Sequence, residues 1–357
     1  MAKRVTMQDI ADAVHMSRAS VSVVLGNKAD CFVSEKNREI ILQTAIRMGY
    51  TPNLLARGLR NGRTKTIGLL CTSLQSEIHQ QETVLLTNLL LEHGYSSNIV
   101  YYKGEMEKLR TAGSDLLARG CDALVVSRAQ HGNQVEEHAI VHAFTDKAVF
   151  LYAGTPEKPE ACDIVYDFRS GFKAALAYLK ELGHRHIKMI RGMIRSNDPG
   201  VDGFRGALRQ LNMEPEDPVS VSRIRDITPE FMKRFFRENP FCTAVICRND
   251  LTAMRVMQSC AAIGVRIPED FSVIGFDGIG SSEFTSPALT TIRQPIAAAA
   301  EETVKLLLNM LENQSNPVCR MLPAELVIRE STSVPRSNQH INEKRPGIQK
   351  TAGERRK

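Results

Sequence analysis

Residues 6–25, TMQDIADAVHMSRASVSVVL, followed by residues 33–50, VSEKNREIILQTAIRMGY, decide how the chain begins. Thr6, with Asp9 three residues on, predicts a helix N-terminus of the capping-box type, and Met7, Ile10, Ala11 and Val14 recur behind it at helical spacing. Ser17 predicts the cap of a second helix. In it Val21, Val24 and Leu25 point inward, leaving Arg18, Ala19, Ser20, Ser22 and Val23 at its start and outer side. Ser34 predicts a third cap, Ile40, Ile41, Ala45, Ile46 and Met48 form the expected apolar stripe, and Gly49 supplies a left-handed stop. Two short helices, a tight turn and a longer third helix outline a helix-turn-helix.

Beyond residue 66 the pattern changes to alternating strand and helix. KTIGLLC, SSNIVYY, CDALVVS and AVFLYAG read as strands of a first lobe, with helices over residues 77–93 and 109–120. After Cys162 the alternation repeats: DIVYD, HIKMIRG, PVSVSRI, TAVIC and FSVIGFD as strands, with helices near 171–182, 201–211 and 229–239 and one ending at Gly264. Successive strand-helix units imply parallel sheets covered on both faces, so the fold class is an all-α headpiece plus an α/β core of two doubly wound lobes.

Length and composition agree with a multidomain chain: 357 residues exceed one typical domain. No apolar run is long enough to span a bilayer and no secretory signal opens the chain, so a cytoplasmic protein without membrane contact is expected. The eight cysteines, at 31, 71, 121, 162, 242, 247, 260 and 319, show no CxxC pairing and read as buried free thiols. Charge is uneven. Residues 1–66 hold 11 Lys and Arg against 5 Asp and Glu, residues 336–357 hold 7 against 2, and the middle holds 28 against 33. Basic ends around a mildly acidic body place an electrostatic footprint for phosphate at the head. The apolar-poor tail reads as disordered, with no leucine heptad. No GxSxG, HExxH or P-loop pattern occurs, which argues against an enzyme, and no cofactor or metal is implied.

The chain resembles the lactose repressor (LacI/GalR) family of bacterial transcription regulators. The motifs that carry the resemblance are VTMQDIADAVHMSRASVSVVL, VSEKNREII, MGYTPNLLARGLRNGRTKTIGLL, KELGHRHI, IPEDFSVIGFDG and SPALTTIRQP, in that order over residues 4 to 335. The resemblance implies a periplasmic-binding-protein-like core and divides the chain into a headpiece (1–52), a hinge helix and linker (53–65), a first lobe (66–162 and 293–322), a second lobe (163–292 and 323–335) and a basic tail (336–357). It implies a homodimer on a near-palindromic operator of double-stranded DNA, more often as a repressor, controlled by a small molecule between the lobes. A solute-binding transport protein would share the lobes but carry an export signal and lack the headpiece.

For DNA, the resemblance puts Arg18, Ala19 and Val23 at base-reading positions. Arginine pairs bidentately with guanine, whereas alanine and valine offer apolar contact to a thymine methyl. Thr6, Ser17, Ser20, Ser22, Arg38 and Asn53 are candidates for the backbone. In the hinge, Leu54, Leu55, Ala56 and Leu59 form a short ridge, Leu59 matches the leucine that wedges into the minor groove, and Arg60 is its basic neighbour. Gly58 weakens this helix, which is marginal alone.

For the effector, ligands of open parallel sheets bind beyond the strand carboxyl ends. That rule names Thr72 and Ser73, Ser127 and Arg128, Tyr152, Asn249 and Asp250, and Asp277. The family's effector contacts carry over to Asn249 and Asp277, each of which also reads as a helix cap or turn. Two departures bear on the ligand. The arginine that the family places three residues before its GF is Gly200 here, and the aromatic pair after the first strand is Ile78 and His79. Arg128, Arg191 and Arg195 are the replacement cations that the sequence offers, with an anionic or polar ligand as the corresponding expectation.

Overall fold

Helix α1 (Met7–Val14) begins in a closed capping box: Thr6 Oγ1 accepts from the Asp9 amide at 3.3 Å, and the Asp9 carboxylate accepts from the Thr6 amide at 2.7 Å. Ser17 caps α2 (Arg18–Leu25) by accepting from the Ser20 amide at 3.0 Å, and Ser34 caps α3 (Glu35–Arg47). Left-handed His15 and Gly49 end the first and third helices. Ile10, Ala11, Val21, Val24, Ile41 and Ala45 close one small core. Ile40 and Ile46, expected in the stripe of α3, are exposed. Ile41 and Ala45 lie one turn apart, and each of the other two falls about 100° to one side of them.

The computed structural model describes residues 5–26, 33–51, 62–73, 76–127, 143–153, 162–192, 198–313 and 318–336. The chain divides into two units, Met1–Thr64 and Lys65–Lys357. The hinge residues Asn53, Ala56, Leu59 and Arg60, the cleft candidates Arg128 and Arg195, and the tail from 337 lie outside the described residues.

The second unit holds two six-stranded sheets. The first has the order β11-β5-β4-β3-β1-β2 and is wholly parallel, built from β1 (Thr66–Cys71), β2 (Ser96–Tyr101), β3 (Ala123–Ser127), β4 (Ala148–Ala153), β5 (Cys162–Asp167) and β11 (Cys319–Pro323). Its inner strands β1, β3 and β4 are near-continuous apolar runs because α4 (Glu77–Glu92), α5 (Met106–Ala118) and α10 (Ile296–Asn313) cover its faces, while the edge strands β2 and β11 are more exposed. The second sheet, β12-β10-β9-β8-β6-β7, joins β6 (Ile187–Arg191), β7 (Val219–Ser220), β8 (Ala244–Cys247), β9 (Ser272–Asp277) and β10 (Thr290–Arg293) in parallel, with β12 (Glu325–Val327) antiparallel on β10. Its helices are α6 (Phe168–Glu181), α7 (Pro199–Gln210), α8 (Pro229–Glu238) and α9 (Asp250–Ala261).

Two expectations need correction. Residues 163–167, assigned to the second lobe, complete the first sheet, with Leu151 opposite Ile164 on one side and Met321 opposite Val165 on the other. The chain crosses over at Asp167, whose side chain caps α6, and Phe168 then packs edge-on against Phe276 of β9 at 4.7 Å. The stretch PVSVSRI forms only the two-residue β7 at a sheet edge, followed by a 3-10 turn at Ile224–Asp226. Among the described residues no helix is long and apolar enough to cross a membrane. Six of the seven described cysteines are buried free thiols, and Cys319 is half-buried.

Candidate functional site

In the first unit the candidate DNA-facing residues gather at the start and outer side of α2. Arg18 and Ala19 are exposed, while Ser20, Ser22 and Val23 are half-buried around them. The hydroxyls of Thr6 and Ser17 each accept a cap bond. The Thr6 hydroxyl also donates to Asp9 Oδ2 at 2.7 Å, and the Ser17 and Ser20 hydroxyls share a hydrogen bond at 2.9 Å. Arg38 lies half-buried on α3.

In the second unit, the carboxyl ends of β6, β8, β9 and β10 carry a dense polar cluster. Asp277 ends β9 with φ +110, and its Oδ1 accepts from Gln294 Nε2 at 2.7 Å. Burial pushes its carboxyl up to about 7; Arg248 works against the shift and Asp250 adds to it. Asp250 is itself raised to about 6 by burial, although it accepts from Thr291 Oγ1 at 2.5 Å and the Ile279 amide at 2.9 Å. Those bonds tie the first turn of α9 to β10 and to the turn after β9. Asp250, a cleft candidate by its position, is therefore a structural tie. Asn249 caps α9, its Oδ1 accepting from the Thr252 amide at 2.8 Å.

Arg248, between Asn249 and β8, was missed by the sequence reading. Its Nε donates to Asp198 Oδ1 at 3.2 Å, and its guanidinium lies 5.1 Å from the ring centre of Phe168 and 5.2 Å from that of Phe276. Arg191 Nη1 donates to Asp198 Oδ2 at 3.4 Å and is 6% exposed. Burial disfavours the charge of Asp198, but Arg248, the Gly200 amide and Arg191 outweigh it and hold the carboxyl below its usual range. A Cβ at Gly200 would lie 2.3 Å from Arg248 Nε. The absence of a side chain at the position where an arginine was expected is the sequence signal that pointed to a cation from elsewhere.

The first lobe contributes a different chemistry. Thr72 and Ser73 follow β1 and are half-buried. Ser127 Oγ donates to Glu82 Oε2 at 3.3 Å, and Tyr166 Oη donates to Glu82 Oε1 at 2.8 Å. Burial raises the Glu82 carboxyl despite these two donors, and it raises Tyr166 well above its usual value. Tyr152 Oη donates to Asp163 Oδ2 at 3.4 Å. Of the pair after β1, Ile78 is buried in the core, while burial lowers the His79 imidazole, whose Nδ1 finds no partner among the described residues. Among the described residues Glu77, at the start of α4, reaches across to the other lobe: it accepts from the Gly280 amide at 2.8 Å and from Ser281 Oγ at 3.3 Å. Glu77, Glu82, Asp198 and Gln294 join Arg248 as residues that the strand-end rule did not name. A separate groove of about 570 Å³, lined by Met254, Met257, Ala261, Val265, Ile267 and Pro287, lies at the amino ends of the second lobe's strands, away from this cluster.

Known proteins share both parts. Residues 6–53 match the model of bacterial regulatory proteins of the lacI family, and residues 176–332 match a periplasmic binding protein-like domain. The HTH-type transcriptional repressor PurR of Pasteurella multocida is 28% identical over 344 residues, covering 91% of this chain and 98% of that protein. PurR of Klebsiella pneumoniae subsp. pneumoniae is 28% identical over 318 residues, 87% of this chain and 91% of its own. Among solved structures, the lac repressor dimer bound to operator and the anti-inducer ONPF superposes with a TM-score of 0.80 at 24% identity, over 93% of this chain and all of the other. The transcriptional regulator CelR in complex with cellobiose gives 0.63 at 22% identity, over 92% of this chain and all of that one.

Proposed function

The chain belongs to the lacI family of bacterial regulatory proteins, and from that premise we propose a cytoplasmic, homodimeric transcriptional repressor whose grip on a near-palindromic operator is set by a small molecule held between the lobes. The observation that carries the reading is the exposed start of α2, Arg18 and Ala19, on a unit whose core α1 and α3 close. A capped helix with a cationic, uncovered first turn is the form in which a recognition helix enters the major groove. Arg18 reads a guanine, Ala19 and Val23 supply apolar contact, and Ser20, Ser22 and Arg38 hold phosphates. Leu59, with Asn53, Ala56 and Arg60 around it, wedges the central step of the operator.

The effector occupies the space between the two walls of strand carboxyl ends, where Asn249 and Asp277 on one side face Thr72, Ser73, Ser127 and Tyr152 on the other. The Glu77 bridge to Gly280 and Ser281 exists only while the lobes are close. A ligand that favours one lobe arrangement over the other shifts the population and with it the DNA affinity.

Selection of randomised duplex DNA by the purified, ligand-free chain at a stated near-physiological salt, followed by sequencing, tests this. An enriched palindrome with a deformable central step supports the dimeric reader. Without enrichment, the selection is repeated with residues 1–66 fused to a dimerising module: enrichment then means that the core must first be liganded, and its absence overturns the headpiece assignment.

A further inference from the structure

We propose that Arg248 is the ligand-anchoring cation of the cleft, standing in the space that Gly200 leaves open, and that the compound it holds presents an anionic oxygen group, a carboxylate or a phosphate. The inference rests on the reading of the cleft as the effector site. Its first support is steric. A Cβ at residue 200 would lie 2.3 Å from Nε and 2.6 Å from Cδ of Arg248, so a side chain at 200 and this placement of Arg248 exclude each other. One position supplies the cation only if the other is empty.

The second support is preorganisation. The guanidinium packs on the rings of Phe168 and Phe276, both buried, and its Nε is fixed by Asp198. An arginine held in this way gives up little freedom on gripping a ligand, and a planar guanidinium matches the two oxygens of a carboxylate or phosphate. The third support is charge. Two guanidinium groups, Arg191 and Arg248, converge on the carboxylate of Asp198, while burial raises the carboxyls of Asp250 and Asp277 beside them. Arg248 keeps 15% of its side chain exposed against 7% for Arg191, so of the two it is the more open to an incoming ligand.

The test uses the full-length protein and two probes, inorganic phosphate and acetate, each titrated against chloride at constant ionic strength, with calorimetric binding and thermal shift as readouts. Wild type is expected to bind at least one probe saturably. The probe with the lower Kd tells a phosphate from a carboxylate site. Arg248→Ala is expected to weaken that binding by about ten- to a hundred-fold, the loss expected for hydrogen bonds to a charged group. The relocated pair Gly200→Arg with Arg248→Ala is expected to recover it. Should Arg248→Ala not fold, Arg248→Gln removes the charge while keeping most of the stem. Absence of saturable binding to wild type, or binding unchanged by loss of the arginine, overturns the proposal. Asn249→Ala separates the two levels. Binding that survives loss of Arg248 but not of Asn249 leaves the cleft reading intact, whereas binding indifferent to both puts the anion elsewhere and counts against the cleft as well.

Discussion

At Asp277 the backbone takes φ +110, a conformation that costs an L-residue on the order of 1–3 kcal/mol, and the carboxyl is thereby turned toward Gln294 and Arg248. Its proton affinity gives this geometry a measurable signature. With a folded value of about 7 against about 3.9 in an unfolded chain, the native state binds more protons than the unfolded state between those limits. The stabilising contribution is complete below about pH 4 and is lost as pH rises through 7. Asp250, at about 6, acts with the same sign, while the lowered imidazoles of His79 and His184 act oppositely as pH falls below the usual imidazole range, so the net curve does not isolate one group. The difference does. Melting temperatures of Asp277→Asn minus wild type should climb from pH 5 to pH 8, and a difference that stays flat would remove Asp277 from that role. At the other end of the chain, Arg18→Ala is expected to cost about 1–3 kcal/mol at one operator position and relax its base preference. Arg38→Ala should instead weaken all sequences alike and reduce the salt slope by about one per head. Binding arrays measured at several salt concentrations distinguish a base reader from a phosphate holder, and a uniform loss for Arg18 would move it to the second class.

Among the elements, α4 carries two tasks at its first turns. Glu77 bridges to Gly280 and Ser281, and Glu82, one turn beyond, sits beneath the ends of β3 and β5 with Ser127 and Tyr166. Glu77→Ala should release the lobes, raising the radius of gyration of the ligand-free protein in solution scattering and speeding ligand exit, with little change in melting temperature; an unchanged radius would mean that the bridge does not hold the lobes. Elements with strong ends were legible from sequence. Thr6, Ser17 and Ser34 cap their helices as read, because a hydroxyl three residues before an amide is a local interaction that the rest of the molecule need not complete. β5 was placed in the wrong lobe because an apolar run says that a strand is buried but not which sheet receives it, and the partners of β5 include β11, more than 150 residues away in sequence. The resemblance named Asn249 and Asp277, which stand after β8 and at the end of β9. Arg248 was not legible, since its place depends on a vacancy at Gly200 that is adjacent only in space.

Across the whole molecule, charge and apolar exposure are arranged for two different contacts. The first 66 residues carry a net positive charge and the central body a net negative one, so the heads are drawn to DNA while the body is not. On the body, Val84 and Leu91, seven residues apart on one face of α4, are 57% and 67% exposed, and Ile99 on the edge strand β2 and Phe284 are exposed as well. Exposed apolar side chains on a body of this size are candidates for a two-fold interface, in which the same surface serves both copies. A dimer also suits a near-palindromic operator, because the second head binds at the effective concentration set by the first. Leu91→Glu combined with Phe284→Glu should therefore convert a species of twice the chain mass in sedimentation equilibrium into a monomer. Operator affinity should fall by about a hundred-fold or more, while each head keeps its preference for a half-site. A double variant that stays dimeric would place the interface elsewhere on the body; one that becomes monomeric yet binds the full operator as tightly as wild type would show that the heads do not depend on each other, and the two-fold reading of the operator would fall with it.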